Sequence, residues 1–558
     1  MSADVPRPAT ERRWLIGLVI IYLVVGIPVA WRCVDQINPD GVCHLMLARH
    51  YADGNFDLAV VGLWSPLLAW LIAALMLVNV EPQAAARAIL LVSSLGMTLA
   101  SWLLMGQMGV RGRYRRAATV CIAVVALSYS VFALDPDVLA AALLAVYFWM
   151  TLRRDTFEKP WAAFQLGLLV GAAYLTKAYA LPFFALHFLG IAICYARRKS
   201  PGAPARAATA YGLAVVGALV VGGPWIGTLS ARYGRLTFST SGEMNLSWTG
   251  PVVNRRHRHL RGLVTPREGR LTEWEDPTDG TRFYPKWSPL ADLASFKHQL
   301  RVIWSNVRLL LQHRFLIYHL SILSAVLLYV LMRRRGWRGH IPVAGWAIWT
   351  VAVYAPGYLF IIVEDRYYWP LVPVLVGMSF LMLQMLEAAA SEAGTLGAAS
   401  EAGTSTAPAT RRAVWCAVLL GAMLAALPFA SLARRCLIPE TAGIPLLAED
   451  LRSLPVAPPL AANDWNVGLY AAYDLNMVYM GRPAHNAPEE IAAELCSARA
   501  RTYLVFDDPK LVAQLSKQRD LKRLATLQLR GDPFGQVAVF DVQYGDAIRP
   551  ERMGATGP

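Results

Sequence analysis

The chain has 558 residues, of which 56% are apolar and 16% charged, and a formal net charge of +15. That composition excludes an ordinary soluble domain: apolar runs of about 17 to 22 residues read as membrane-spanning helices, whose backbone groups are satisfied within the segment. The basic residues fall in short clusters between these runs, so the positive charge reads as the positive-inside bias of a membrane protein and not as a nucleic-acid surface.

A polar arm ending in Glu11-Arg12-Arg13 precedes the first span, Trp14 to Ala30, which reads as a retained helix with its N-terminus in the cytoplasm. The stretch from Asp35 to Pro66, within a first outer loop over 32–87, then lies outside. It carries Asp35, Asp40, Asp53 and His44 and what reads as an amphipathic run, LMLARHYA. The next apolar run, Pro66 to Asn79, is only about 14 residues long, at the lower edge for a span. If it crossed, the RGRYRR cluster after Ala88 to Gly106 would fall outside. A short surface or re-entrant helix keeps that cluster inside.

Spans then alternate: Ala117 to Leu134, reaching LDPD with Asp135 and Asp137; Val138 to Leu152; Trp161 to Leu175, with Lys177 at its outer rim; Leu181 to Tyr195; and Ala208 to Ile226. A large outer loop over 227–310, rich in Trp, Arg and His, is followed by Phe315 to Met332. Ile341 to Val363 then leads out to EDRYYWP, Leu371 to Leu386 returns, and Ala413 to Leu432 crosses last. Residues 387–412 are Ala, Gly, Ser, Thr and Glu with few bulky side chains and read as a flexible inner loop. The tail reads as a small α/β domain, with strands over 500–508 and 535–543 and a helix over 488–498. The expected fold class is therefore an α-helical polytopic membrane protein of about eleven spans plus juxtamembrane helices. Residues 1–432 form its membrane domain and 433–558 its outer domain.

The residues with chemistry sit at the outer ends of the spans. Asp40, between Pro39 and Gly41, is either a helix-capping carboxylate worth about 1 kcal/mol or a base for an acceptor hydroxyl. Asp35 is a second acid or an interfacial charge, and His44, one helical turn beyond Asp40, is a partner or a packed polar side chain. Asp135 and Asp137 supply a second outward acid pair. Lys177 is basic on the outer side, against the positive-inside bias, and reads as a snorkelling anchor or a contact for a lipid-linked phosphate. Arg366 reads as an ion-pair partner of Glu364 or Asp365, or as a phosphate clamp beside Tyr367. In the loop sequence NLSWTGPVVNRRHRHLRG, Asn245 and Trp248 suit a sugar, and Arg255 and Arg256 suit phosphate or anionic headgroups. His257 and His259 are a weak metal signal. No HExxH, GxSxG, CxxC or nucleotide-loop pattern is present, so no cofactor is expected and a divalent cation stays open.

The layout over roughly residues 10–390 resembles the polytopic GT-C glycosyltransferases, especially the bacterial lipid A aminoarabinose transferases and the protein O-mannosyltransferases. The resemblance rests on an outer-loop acid followed by a helix ending Ala-Arg, here Asp40 to Ala48-Arg49, and on the SPLLAWLIA run beyond it. It implies an inverting transferase that takes a sugar from a polyprenyl-phosphate donor, with Asp40 as the catalytic or orienting carboxylate. It also implies an outer acid after the third span, matched by Asp135 or Asp137, and makes Lys177 and Arg366 the candidates for the donor phosphate. The expected acceptor is a lipid, glycan or protein at the periplasmic face of an inner membrane, met by a monomer. Two positions depart from the pattern: Gly41 stands where many relatives have a second acid, and Trp64-Ser65 where aminoarabinose transferases have a lysine. A transporter or flippase of lipid-linked sugars is the alternative, and it predicts polar pairs deep within the spans; a lipid-binding scaffold is a third.

Overall fold

The structure is a computed structural model that describes residues 8–251, 262–277, 286–311, 326, 339–398, 407–438, 443–529 and 535–544. In chain order the first part comprises α1 (Pro8–Arg32), α2 (Pro39–Ala52), the single turn α3 (Phe56–Ala59), α4 (Leu67–Met76), α5 (Pro82–Met108), α6 (Gly112–Phe132), α7 (Asp137–Leu152), the turn α8 (Asp155–Glu158), α9 (Pro160–Thr176), α10 (Ala180–Ala196), α11 (Ala203–Tyr233), α12 (Ser241–Trp248) and α13 (Leu293–Leu310). The helices Ile341–Tyr354, Val372–Ala398 and Ala407–Leu437 complete the apolar part. Among the described residues six helical stretches are long and apolar enough to cross a membrane, and four shorter apolar helices accompany them.

Local chemistry sets several ends. Proline occupies the first turn of α2, α5, α9 and α11, where its missing N–H leaves nothing unpaired. The Glu81 side chain accepts from the Ala84 N–H at the start of α5, and Gly109, at φ 90°, ends it in the left-handed conformation. Helix α4 has ten residues, about 15 Å of rise, half of a bilayer's hydrocarbon thickness.

Small residues let α9 and α11 approach closely. A Cβ on Gly167 would lie 2.1 Å from the Ala214 carbonyl oxygen, and one on Gly217 would lie 2.4 Å from that of Phe164. Across the bundle, the Tyr147 hydroxyl and Thr350 Oγ1 lie 2.8 and 2.9 Å from the two ring nitrogens of His187. This network joins α7, α10 and the helix Ile341–Tyr354, and each polar atom in it is matched by another.

The C-terminal part is a five-stranded sheet of β1 (Leu460–Ala462), β2 (Tyr479–Gly481), β3 (Thr502–Phe506), β4 (Leu521–Gln528) and β5 (Gln536–Val542), in the order β2-β1-β3-β5-β4. Strand β1 runs parallel to β2 and β3, and β5 antiparallel to β3 and β4. Its edge is covered by the large outer loop: the Val264 N–H donates to Met480 O at 2.9 Å and the Tyr479 N–H to Leu271 O at 2.7 Å.

Three expectations are corrected. The run within α2 is not amphipathic: residues 41 to 48 are all buried, because α4, the loop segment Glu273–Glu275 and the helix Trp465–Leu475 cover different faces of it. The apolar run Ile341 to Val363 is not one helix. It ends at Tyr354 and restarts as the turn Pro356–Leu359, because Pro356 has no N–H with which to continue the helical hydrogen bonds. Much of 387–412 is helical, since Val372–Ala398 and Ala407–Leu437 extend into it, in keeping with the helix propensity of Ala and Glu. The run Phe315 to Met332 lies outside the described residues apart from position 326.

Gly167→Ala is expected to destabilise the protein by about 1–3 kcal/mol, whereas Gly212→Ala, with open space at its Cβ position, stays within about 0.5 kcal/mol. Thermal unfolding of the two variants in detergent checks the difference.

Candidate active site

Three helix ends converge on one cavity. The N-terminus of α2 brings Asp40, the N-terminus of α7 brings Asp137 with Asp135 just before it, and the C-terminus of α9 brings Lys177. Each charge has the sign its helix end favours. The segment Asp365–Leu371 adds Arg366 and Tyr367.

Arg366 organises the group. Its two terminal nitrogens donate to Asp40 Oδ2 and Asp135 Oδ2, each at 2.7 Å, and its Nε donates to Glu364 Oε2 at 2.6 Å. Asp137 Oδ2 lies 3.7 Å from the same Nε. Lys177 Nζ donates to Asp137 Oδ1 and sits 4.0 Å above the centre of the Tyr367 ring. The Asp137 N–H donates to Asp135 Oδ1 at 3.0 Å, fixing the two acids relative to each other. Burial alone would raise the Asp135 carboxyl, but the charge and hydrogen bond of Arg366 outweigh it and hold the group below the usual carboxylate range.

Asp40 does not act as a cap. Its second oxygen, Oδ1, accepts from Trp274 Nε1 at 3.2 Å, so both oxygens point away from the helix backbone. Asn38 is the residue at the N-cap, and its Oδ1 accepts from the Leu134 N–H at 2.8 Å, tying the start of α2 to the loop that carries Asp135. Gly41 completes that contact, because a Cβ there would lie 2.9 Å from the Leu134 carbonyl oxygen. The second acid expected of many relatives has no room at this position. Behind the contact, the fully buried Arg87 donates to the carbonyls of Gln36 and Ser130, and Gln36 Nε2 donates to Arg435 O at 2.8 Å.

The cavity, of about 900 Å³, is lined by Asp40, His44, Asp135, Asp137, Lys177, Asn245, Trp248, Arg366 and Tyr367, all singled out in the sequence. Asp35 is not among its walls; it lies in the field of Glu81 and Arg87, and burial followed by Glu81 raises its carboxyl. Arg255 and Arg256 fall outside the described residues. Trp64, noted in the sequence only as a departure from the family pattern, is a wall residue; the sequence reading missed Trp274 and Arg435, and it missed Asp464, Asn466 and Tyr470, through which the C-terminal part supplies a wall. One signal was present for Trp274: Thr272 and Glu275 have capping-box spacing, and both arms of that box form in the short helix Glu273–Glu275. Glu275 Oε2 also lies 2.9 Å from His50 Nε2, locking the turn against α2.

His44 does not bond Asp40. Neither ring nitrogen has a hydrogen-bond partner among the described residues, and the ring packs 5.3 Å from Trp64. Burial pushes its imidazole down to about 4, against the opposing pull of Asp40 and Asp135. No group of three or more His, Cys, Asp or Glu among the described residues is placed to hold a metal ion.

The crystal structure of ArnT from Cupriavidus metallidurans bound to undecaprenyl phosphate superposes with a TM-score of 0.54 at 15% identity, covering 96% of this chain and 99% of that one. The two share a fold. The apo form of ArnT matches with a TM-score of 0.49 at 15% identity over 94% of this chain and 98% of that one. An Archaeoglobus fulgidus oligosaccharyltransferase tethered to an acceptor peptide matches with a TM-score of 0.44 at 10% identity over 87% and 68%. No protein-family model matches the sequence, and no curated protein does. The likeness to ArnT covers 96% of this chain and so takes in the membrane part and the C-terminal sheet together.

Two outcomes follow from the charges. Arg366→Met leaves buried carboxylates without their cation and is expected to cost about 3–5 kcal/mol in unfolding experiments in detergent. For His44 the folded imidazole sits at about 4 against an ordinary 6.5, so the unfolded chain binds the proton first and stability falls as pH drops through that window. Between about pH 7 and about pH 5 the loss is about 2 kcal/mol. His44→Phe is expected to remove that part of the slope in paired melts.

Proposed function

We propose that the chain is an inverting glycosyltransferase of the GT-C type, moving a sugar from a polyprenyl-phosphate donor to an acceptor on a lipid, glycan or protein. The observation that carries the reading is the convergence of Asp40, Asp135, Asp137, Lys177 and Arg366 on one cavity at the ends of apolar helices. The fold supports it, since ArnT was crystallised with undecaprenyl phosphate, a membrane-borne phosphate of the kind that Lys177 and Arg366 suit. In this reading the chain crosses an inner membrane about eleven times, and the cavity and residues 433–558 face the periplasm.

The chemistry asked of the chain is modest. The acceptor oxygen forms a bond to the anomeric carbon from the face opposite the phosphate. The bond from that carbon to the phosphate oxygen breaks, and its electron pair leaves with the lipid phosphate. Asp40 accepts the acceptor's proton. Each of its oxygens already takes one donor, Trp274 or Arg366, but a carboxylate has about four lone-pair sites, so a hydroxyl can share Oδ1. Arg366 and Trp274 hold Asp40 in a fixed orientation, and little more is asked of it because a phosphate leaves readily. Lys177, with three N–H donors of which one goes to Asp137, and Arg366 stabilise the charge that develops on the departing phosphate. The polar network of Tyr147, His187 and Thr350 within the bundle is enclosed by Phe148, Phe183 and Phe184 and satisfied internally, which speaks for packing and against a transport path.

With the full chain in vesicles and a panel of radiolabelled polyprenyl-phosphate sugars, Asp40→Asn is expected to lower kcat by about 10²–10⁴ while donor binding persists. Lys177→Met is expected to weaken donor binding as well. Transfer by Asp40→Asn at the wild-type rate would remove Asp40 from the mechanism.

A further inference from the structure

Helix α13 carries two faces of opposite character. Leu293, Phe296, Leu300, Trp304 and then Leu311 are exposed, and at about 100° per residue they fall within one narrow arc. Lys297, Arg301 and Arg308 are exposed along one flank of that arc, and the 18 residues of the helix include no acid. On the opposite side Gln299, Val302 and Asn306 are buried.

The buried face is bonded to backbone near the cavity. Gln299 Nε2 donates to Phe360 O at 2.8 Å, and Asn306 Nδ2 donates to Leu359 O and Ile361 O, each at 2.9 Å. His298 Nε2 lies 2.7 Å from Thr249 O. The first three bonds hold the turn that leads into Glu364 and Arg366. The fourth holds the residue after Trp248.

We propose that α13 docks on an anionic bilayer surface, and that its opposite face thereby braces the two segments that carry Arg366 and Trp248. An apolar arc of this width buries into the boundary between headgroups and acyl chains, and a basic flank without acids adds attraction to negatively charged headgroups. A lipid surface fits better than a protein partner because the exposed face belongs to a chain with six helices, among the described residues, long and apolar enough to cross a membrane, and because the cations border the arc without interrupting it. The turn that presents Arg366 is then held by a helix whose position is set by the membrane.

Photo-crosslinking of the full chain in phosphatidylcholine vesicles, with and without phosphatidylglycerol, tests the docking. Leu300→p-benzoylphenylalanine and Trp304→p-benzoylphenylalanine are expected to form lipid adducts, and the same group at the exposed Lys522 of β4 none. Adducts to protein, or adducts no more frequent than at Lys522, overturn the proposal. Combining Lys297→Glu, Arg301→Glu and Arg308→Glu is expected to lower phosphatidylglycerol adducts about tenfold or more; an unchanged yield rejects the anionic preference. For the brace, Gln299→Ala with Asn306→Ala is expected to keep the lipid adducts while amide exchange over 361–368 quickens about 5- to 10-fold per lost bond. Unchanged exchange there, or an equal rise in β3, rejects the brace. None of these readouts depends on sugar transfer.

Discussion

One guanidinium holds the candidate site together. Arg366 is the cation that Asp40, Asp135 and Glu364 share, and without it these acids would face one another at the mouth of a poorly solvated cavity. Four carboxyl groups crowd against Arg366 and Lys177, and the positive ends of α2 and α7 help to offset the negative charge that they carry. Buried ion pairs contribute little net stability, because desolvation opposes the Coulomb gain, but their geometry is strict. A planar fork that donates along fixed directions is suited to holding acids from three segments in one register, which a lysine at the same place would not do.

That register is enforced again a layer further in. Arg87 ties the carbonyl of Gln36 to that of Ser130, Asn38 ties α2 to Leu134, and Gly41 lets the two backbones touch. The contact that leaves no space for a second acid beside Asp40 also brings Asp40 close to Asp135.

What was legible in the sequence and what was not divides along physical lines. Charges at the ends of apolar runs stand out against their surroundings, so Asp40, Asp135, Asp137, Lys177 and Arg366 could be picked from the chain before any contact was known. Helix α4 was recognisable from its length and from the basic cluster that follows α5. Trp274 was not, because a tryptophan in a polar loop carries no sign of the carboxylate it will bond 234 residues away. Arg87 was passed over as the last residue of the first outer loop, one before Ala88, because its partners are backbone carbonyls that every residue has. The failure at Ile341 to Val363 was of another kind: hydropathy continued through Pro356 while the backbone did not. Strands β1 and β2, three residues each, are too short for alternation to show.

The large outer loop is also an element of the sheet. Its Val264 and its Leu271-Thr272 bond to β2, and two residues later the same segment presents Trp274 to Asp40. The distance from α12 to α13 is therefore measured by two rulers, the bundle and the sheet. Insertions or deletions between Val264 and Trp274 would slip one against the other, and they would uncover a strand edge ready to pair with another chain. Length variation in this loop is accordingly expected outside that interval, where neither ruler reads it.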